Sequence, residues 1–216
     1  RWAPLVSLQV ESLKQRLRHA AEYEASQREQ GWRILHAEWQ LGGPQDEKPL
    51  LIEGARLRCT VDRVERNGQT GELRVLDFKT SDKAREPQGE HAVKVSTRKP
   101  LAPEDEWKCF DHSSGARLQW RDLQLPLYAA ALRLHGLMPD VVGYFAIPKS
   151  VQDTEILIWQ DFNAEWIDRA LECAAEVVRR LRDGIFWPPA TRAYARDFDA
   201  LFLGDIQATV EFGGPA

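Results

Sequence analysis

The sequence is short of several things. Cysteine occurs only three times in 216 residues, at Cys59, Cys109 and Cys173. Positions so far apart form neither a metal-ligand spacing nor an even disulfide set, which points away from a disulfide-stapled secreted fold and towards a reducing, cytoplasmic setting. No stretch approaches the roughly 18 consecutive apolar residues of a membrane span, and the first residues lack the basic-then-apolar pattern of a signal peptide. No membrane partner is expected. An excess of either charge is lacking too: 29 basic residues stand against 33 acidic ones, a net charge of −4. Nucleic acid would therefore have to be met by local basic patches or bound metal ions, not by the field of the whole chain. No segment repeats. The chain opens on Arg1 and Trp2 without a methionine, which raises the expectation of excision from something longer.

What is present suffices for a core. With 43 % apolar and 29 % charged residues, the chain has the balance of an ordinary globular protein, and its length fits one domain over residues 1–216 without demanding two. Leu5, Leu8, Leu13, Leu17, Ala20 and Ala21 recur at helical spacing up to about Gln30, and Gly31 follows as a C-cap would. "WRILHAEWQL" then alternates apolar and polar residues as a strand does. "ARLRCTVDRVER", "NGQTG" and "ELRVLDFKT" read as strand, turn and strand, with Asn67-Gly68 as the hairpin signal. From Ser81 to about Arg117 the chain is rich in Pro, Lys and Glu and shows little period, so this stretch reads as one long irregular, functional or mobile loop. Helices are expected over Leu118–Gly136 and over "AEWIDRALECAAEVVRRLRDG", with strands "VVGYFAIP" and "TEILIWQ" between them and a short helix in the tail. That order predicts a mixed α/β sheet flanked by helices on both faces.

The hairpin carries the chemistry. Alternation along a strand puts Asp77 and Lys79 on one face and Phe78 on the other. Asp62 and Asp77 lie about equally far from the turn, so the two carboxylates should approach across the strands. Such a pair repels unless one acid is protonated or a cation sits between them, and a hard divalent ion such as Mg²⁺ is held by one or two carboxylates while keeping several waters. A lysine beside that ion can steer a water or neutralise charge developing on a phosphate. The competing reading is a pair of turn or solvent acids, with an exposed Asp77–Lys79 ion pair or an Arg63 or Arg66 partner for Asp62.

"TVDRVER … ELRVLDFKT" resembles the signature of the RecB-like branch of the PD-(D/E)XK nuclease superfamily, in which a "G-x-I-D-R-I-D"-like strand leads through a turn to "V-I-D-Y-K-T". That branch carries a downstream helix with Gln-x-x-x-Tyr, and "QLPLY" supplies Gln124 and Tyr128 on one helix face. The resemblance implies a restriction-endonuclease-like core and a DNA nuclease dependent on Mg²⁺ or Mn²⁺. It implies Asp62 and Asp77 as metal ligands with the Phe78 backbone carbonyl as a third, Lys79 as the catalytic lysine, and Gln124 and Tyr128 as positioning groups. Glu38 matches an acid often seen on the preceding strand and is either a site residue or a solvent-facing one; Arg63 either contacts phosphate or pairs with Glu65 or another acid.

The match has departures. Cys59 stands where the family usually has glycine, and the usual "G-x-x-x-H-x-x-L-E"-like histidine motif is missing, since the surroundings of His19 and His36 do not fit it. The missing ligand is expected upstream of Arg1. Relatives with an iron–sulfur cluster use cysteines after the last helix, and none occurs there, so no cluster is expected. For DNA contacts the sequence offers Lys83, Arg85, Arg98 and Lys99 on the long loop, with Trp120 as a base-stacking or core residue. Domains of this branch sit in helicase–nuclease proteins of recombination and repair, so an exonuclease partnered by a helicase domain or subunit is expected. The alternatives are a catalytically inactive relative serving as a DNA-binding or assembly module, and a metal-dependent hydrolase of another phosphate ester.

Overall fold

The structure, a computed structural model, describes residues 4–81, 83–96, 98 and 101–185. The expected short helix of the tail lies outside the described residues, as does Lys99. Helical spacing produces α1 (Pro4–Glu29), and Gly31, at φ +95°, ends it and turns the chain into β1 (Trp32–Leu41). No residue with a Cβ fits well at Gly31, because that atom would stand 2.9 Å from Asn67 Oδ1. The end of α1 is thus seated on the hairpin turn, where Gly68 N–H also donates to Gly31 O at 2.9 Å.

A two-residue pair of strands, β2 (Leu51–Ile52) and β3 (Ala55–Arg56), leads to the hairpin β4 (Cys59–Asn67) and β5 (Leu73–Lys79). Its turn differs from the Asn-Gly expectation. Gly71, not Gly68, takes the left-handed conformation at φ +79°. Asn67 acts through its side chain, accepting from the Gln69 and Thr70 amides and donating to Gln30 O. Asparagine's ability to bond nearby backbone organises this longer loop.

The stretch read as irregular is structured. It forms α2 (Pro87–His91), β6 (Ala92–Lys94), a 3₁₀ turn over Pro103–Lys108, β7 (Cys109–Asp111) and β8 (Arg117–Trp120). The strands make a small antiparallel sheet in the order β6-β8-β7. Residues 117–120 are strand because Leu118 and Trp120 alternate with Gln119 and both are buried. The next helix, α3 (Gln124–Leu134), begins later than the apolar spacing suggested. Asp122 sets its start by accepting from the Gln124 amide at 2.7 Å.

β9 (Val141–Ala146), β10 (Glu155–Ile158) and α4 (Ala164–Arg182) complete the described chain, with Asn163 accepting from Glu165 N–H at the start of α4. The central sheet has the order β1-β4-β5-β9-β10. Only the β5–β9 pair is parallel, so the sheet is mixed, as expected. One face carries the main core, in which Val64, Val75 and Tyr144 meet α3 and α4 residues such as Leu125, Leu132 and Trp166. The other face is smaller: Leu76 and Phe145 pack against Ala20 and Tyr23 of α1. Among the described residues no helix is long and apolar enough to cross a membrane.

Candidate active site

The site lies where β4 begins and β5 ends. The β4–β5 register pairs Arg63 with Leu76, and one step further Asp62 faces Asp77. The Asp62 carboxylate accepts the Phe78 amide at 2.8 Å, which ties the two strands together at their last step. Asp77 is almost wholly buried, with 3 % of its side chain exposed, and its Oδ2 lies 2.7 Å from Lys79 Nζ. Burial raises the Asp77 pKa, Lys79 opposes that, and the neighbouring Asp62 raises it again. Two acids and a lysine therefore do share one end of the hairpin face.

The lysine leads to α3. Lys79 Nζ donates to Gln124 Oε1 at 3.2 Å, and Gln124 Nε2 donates to the Tyr128 hydroxyl at 2.8 Å. An ammonium only donates, so the Gln124 oxygen must face Lys79 and its NH₂ must face Tyr128. The i, i+4 spacing puts both side chains on one helix face. Burial pushes the Tyr128 pKa up to about 12 despite the Gln124 bond, and the hydroxyl stays protonated at neutral pH. Asp62, Asp77, Lys79, Gln124 and Tyr128 form one connected array.

These residues fit a hard divalent cation. Asp77 Oδ2 is buried and faces the Lys79 ammonium at 2.7 Å, with Asp62 close enough to raise its pKa. A cation beside it would satisfy that oxygen and relieve the repulsion with Asp62. Among the described residues no group of three or more His, Cys, Asp or Glu side chains is gathered to hold a metal. Asp62 and Asp77 are the two carboxylates this end of the hairpin brings together, and oxygen donors of this kind suit a hard ion that keeps several waters. His19 is on the outside of α1, 3.8 Å from Glu22, and His36 stacks on Trp39 with ring centroids 4.0 Å apart.

Other expected residues fall elsewhere. Arg63 is not at the acids: it points to the α1 face, buried, bonded to Glu24 at 2.7 Å and Glu65 at 3.1 Å. The alternation that aims Asp62 at the site aims its neighbour away. Glu38 is exposed beside the Asp62 row of the sheet and has φ +49°, a left-handed conformation rare for glutamate. Trp120 is core and not a base-stacking surface: 5 % exposed, it stacks on Phe110 at 5.0 Å and meets Trp166 at 5.7 Å. Arg85 is exposed and paired with Glu90, while Lys83 and Arg98 are exposed on the segment after β5.

Two residues around Lys79 went unread in the sequence. The parallel β5–β9 register sets Tyr144 beside Asp77, and Lys79 Nζ lies 4.9 Å from the Tyr144 ring centre. His91 is wholly buried next to Tyr144, with ring centroids 5.8 Å apart. No local pattern in "VVGYFAIP" or "EPQGEHAV" marks either, because the parallel pairing that brings them in is a tertiary fact.

No curated protein matches the chain. The family model of the PD-(D/E)XK nuclease superfamily, whose members generally use divalent metals such as Mg²⁺, matches residues 4–194. Together with the mixed five-stranded sheet and its flanking helices, this gives the chain its place: it belongs to the PD-(D/E)XK nuclease superfamily.

Proposed function

We propose that the chain is a Mg²⁺- or Mn²⁺-dependent deoxyribonuclease of the RecB-like branch, an exonuclease acting in DNA recombination and repair beside a helicase domain or subunit. The observation that carries this reading is the unbroken array from Asp62 and Asp77 through Lys79 to Gln124 and Tyr128. The branch signature needs the hairpin acids and the Gln-x-x-x-Tyr helix to work together, and Lys79 links Asp77 to Gln124. Asp62, Asp77 and the Phe78 carbonyl would hold the ion, which supplies positive charge against the phosphodiester and its attacking water. Lys79, 35 % exposed, presents an ammonium where a phosphate oxygen gains charge. Gln124 fixes that ammonium from the side, and Tyr128 fixes the Gln124 amide. Lys83 and Arg98, exposed on the segment that follows β5, would meet the DNA backbone.

The test is digestion of end-labelled single- and double-stranded DNA with Mg²⁺ or Mn²⁺, with Asp77→Asn run beside the wild type. Metal-dependent cutting that disappears in the variant is expected. Equal cutting by both would contradict the assignment of Asp77. Binding without cutting by either protein would favour a DNA-binding or assembly module.

A further inference from the structure

The catalytic lysine of the proposed nuclease is held by more than the acid beside it. Its Nζ meets Asp77 Oδ2 at 2.7 Å, Gln124 Oε1 at 3.2 Å and the face of Tyr144 at 4.9 Å from the ring centre. An ammonium within about 6 Å of an aromatic centre is attracted by the negative face of the ring. Tyr144 is only 3 % exposed and Lys79 35 % exposed, so the ring is fixed in the core while the ammonium still reaches solvent. Behind it stands His91. Its ring stacks on Trp159 at 5.0 Å, and its Nδ1 lies 2.9 Å from the Asp122 carbonyl oxygen. A carbonyl only accepts, so Nδ1 carries the proton and Nε2 presents a lone pair. Nε2 is buried and has no hydrogen-bond partner. Burial, and to a lesser degree the Lys79 charge, hold the ring neutral. Asp122 in turn caps the Gln124 amide at 2.7 Å. Both neutral contacts of Lys79, the Gln124 oxygen and the Tyr144 ring, therefore lean on His91.

We propose that Tyr144 and His91 are positioning residues that cradle the Lys79 ammonium in neutral contacts beside Asp77. The proposal rests on the nuclease reading for the role of Lys79. A neutral cradle matters because Asp77 cannot serve the lysine and a metal ion equally. When a cation shares the Asp77 carboxylate, the ion pair with Lys79 weakens, and the amide oxygen and the π face keep the ammonium in place. Neither neutralises it, so its charge stays available for a phosphate oxygen.

The experiment has an arm that needs no activity. In ¹H–¹³C spectra of labelled protein, with Lys79 assigned by its loss in Lys79→Arg, the Tyr144 ring current should move the Lys79 ε-methylene protons upfield. The shift should persist in Tyr144→Phe, which keeps the ring, and vanish in Tyr144→Leu. It should also shrink in His91→Phe and be retained better in His91→Asn, which can still donate to the Asp122 carbonyl. In DNA cleavage, Tyr144→Phe should stay close to wild type, while Tyr144→Leu should lose roughly three- to fivefold in kcat with little change in KM, the size of a partly exposed cation–π contact. No upfield shift in the wild type, or wild-type kcat in Tyr144→Leu, would overturn the cradle. Lys79 resonances identical to wild type in both His91 variants would remove His91 from it. If the wild type cuts no DNA, the nuclease reading falls, while the resonance still decides where Lys79 is held.

Discussion

Asp77 stands at a cost to the fold. Its carboxylate is buried, burial disfavours its charge, and Asp62 adds to the penalty. In the absence of divalent metal, Asp77→Asn should therefore unfold at a higher temperature than the wild type even as cutting is lost, and a thermal melt in chelator checks it. Lys79 is exposed enough to be solvated without its partner. Glu65 is the opposite case. It is 1 % exposed and bonds both Arg63 and Arg74, with Arg74 also lying over Trp32 at 3.7 Å. Glu65→Ala leaves buried guanidinium groups short of a counter-charge and should destabilise by roughly 3–5 kcal/mol in urea titration. His91 gives a pH dependence. Its folded pKa is depressed below 6.5 by burial. As pH falls below 6.5, the unfolded chain takes up the proton first, so the folded state loses stability. The wild type should therefore lose stability relative to His91→Asn on acidification, as unfolding midpoints would show. At this scale much was legible: the i, i+2 spacing of Asp77 and Lys79 and the i, i+4 spacing of Gln124 and Tyr128 each follow from one element's geometry. The same alternation turns Arg63 away from the face of Asp62, so of the two expectations for it the pairing with Glu65 is the one the fold permits. Tyr144 and His91 were not legible, because only the parallel register of β5 and β9 and the return of α2 bring them to Lys79.

Elements with a clear apolar pattern were legible, the short strands β9 and β10 included, and the short strands within the Pro-rich stretch were not. α1 and β1 have 26 and ten residues of pattern, and the hairpin strands β4 and β5 nine and seven. β6, β7 and β8 have three or four residues each, too few to show alternation above the Pro and Gly around them. Tertiary burial of Phe110, Leu118 and Trp120 decides that stretch instead. The same limit blurred the start of α3, where an apolar strand runs into an apolar helix. Contact between β9 and β10 depends on one residue. A Cβ at Gly143 would stand 2.3 Å from the Leu157 backbone oxygen, so the two strands pair closely only over glycine. Gly143→Ala must push β10 away and should cost about 1–3 kcal/mol, the usual range for overpacking. A urea titration measures it. β10 lies at the sheet edge with β9 between it and the strand of Asp77, so cutting at saturating metal should survive better than stability does.

At the scale of the whole molecule, the site is a meeting of four elements. β4 gives Asp62, β5 gives Asp77 and Lys79, α3 gives Gln124 and Tyr128, and β9 gives Tyr144. α1 locks the other face of the same end, where Arg16 donates to the Thr80 and Ile147 carbonyls just past β5 and β9. The ends of β5 and β9 are thus braced from the α1 side, opposite the face that carries Asp77 and Lys79. In the proposed nuclease the labour within it is divided: the two acids would hold the ion, and Lys79 would act on the phosphate. The most direct test measures Mn²⁺ binding by calorimetry and cleavage of one end-labelled DNA on the same preparations of wild type, Asp77→Asn and Lys79→Met. The wild type should bind and cut, Lys79→Met should bind but not cut, and Asp77→Asn should do neither. Cutting by Lys79→Met at the wild-type rate, or unchanged Mn²⁺ affinity in Asp77→Asn, would contradict that division.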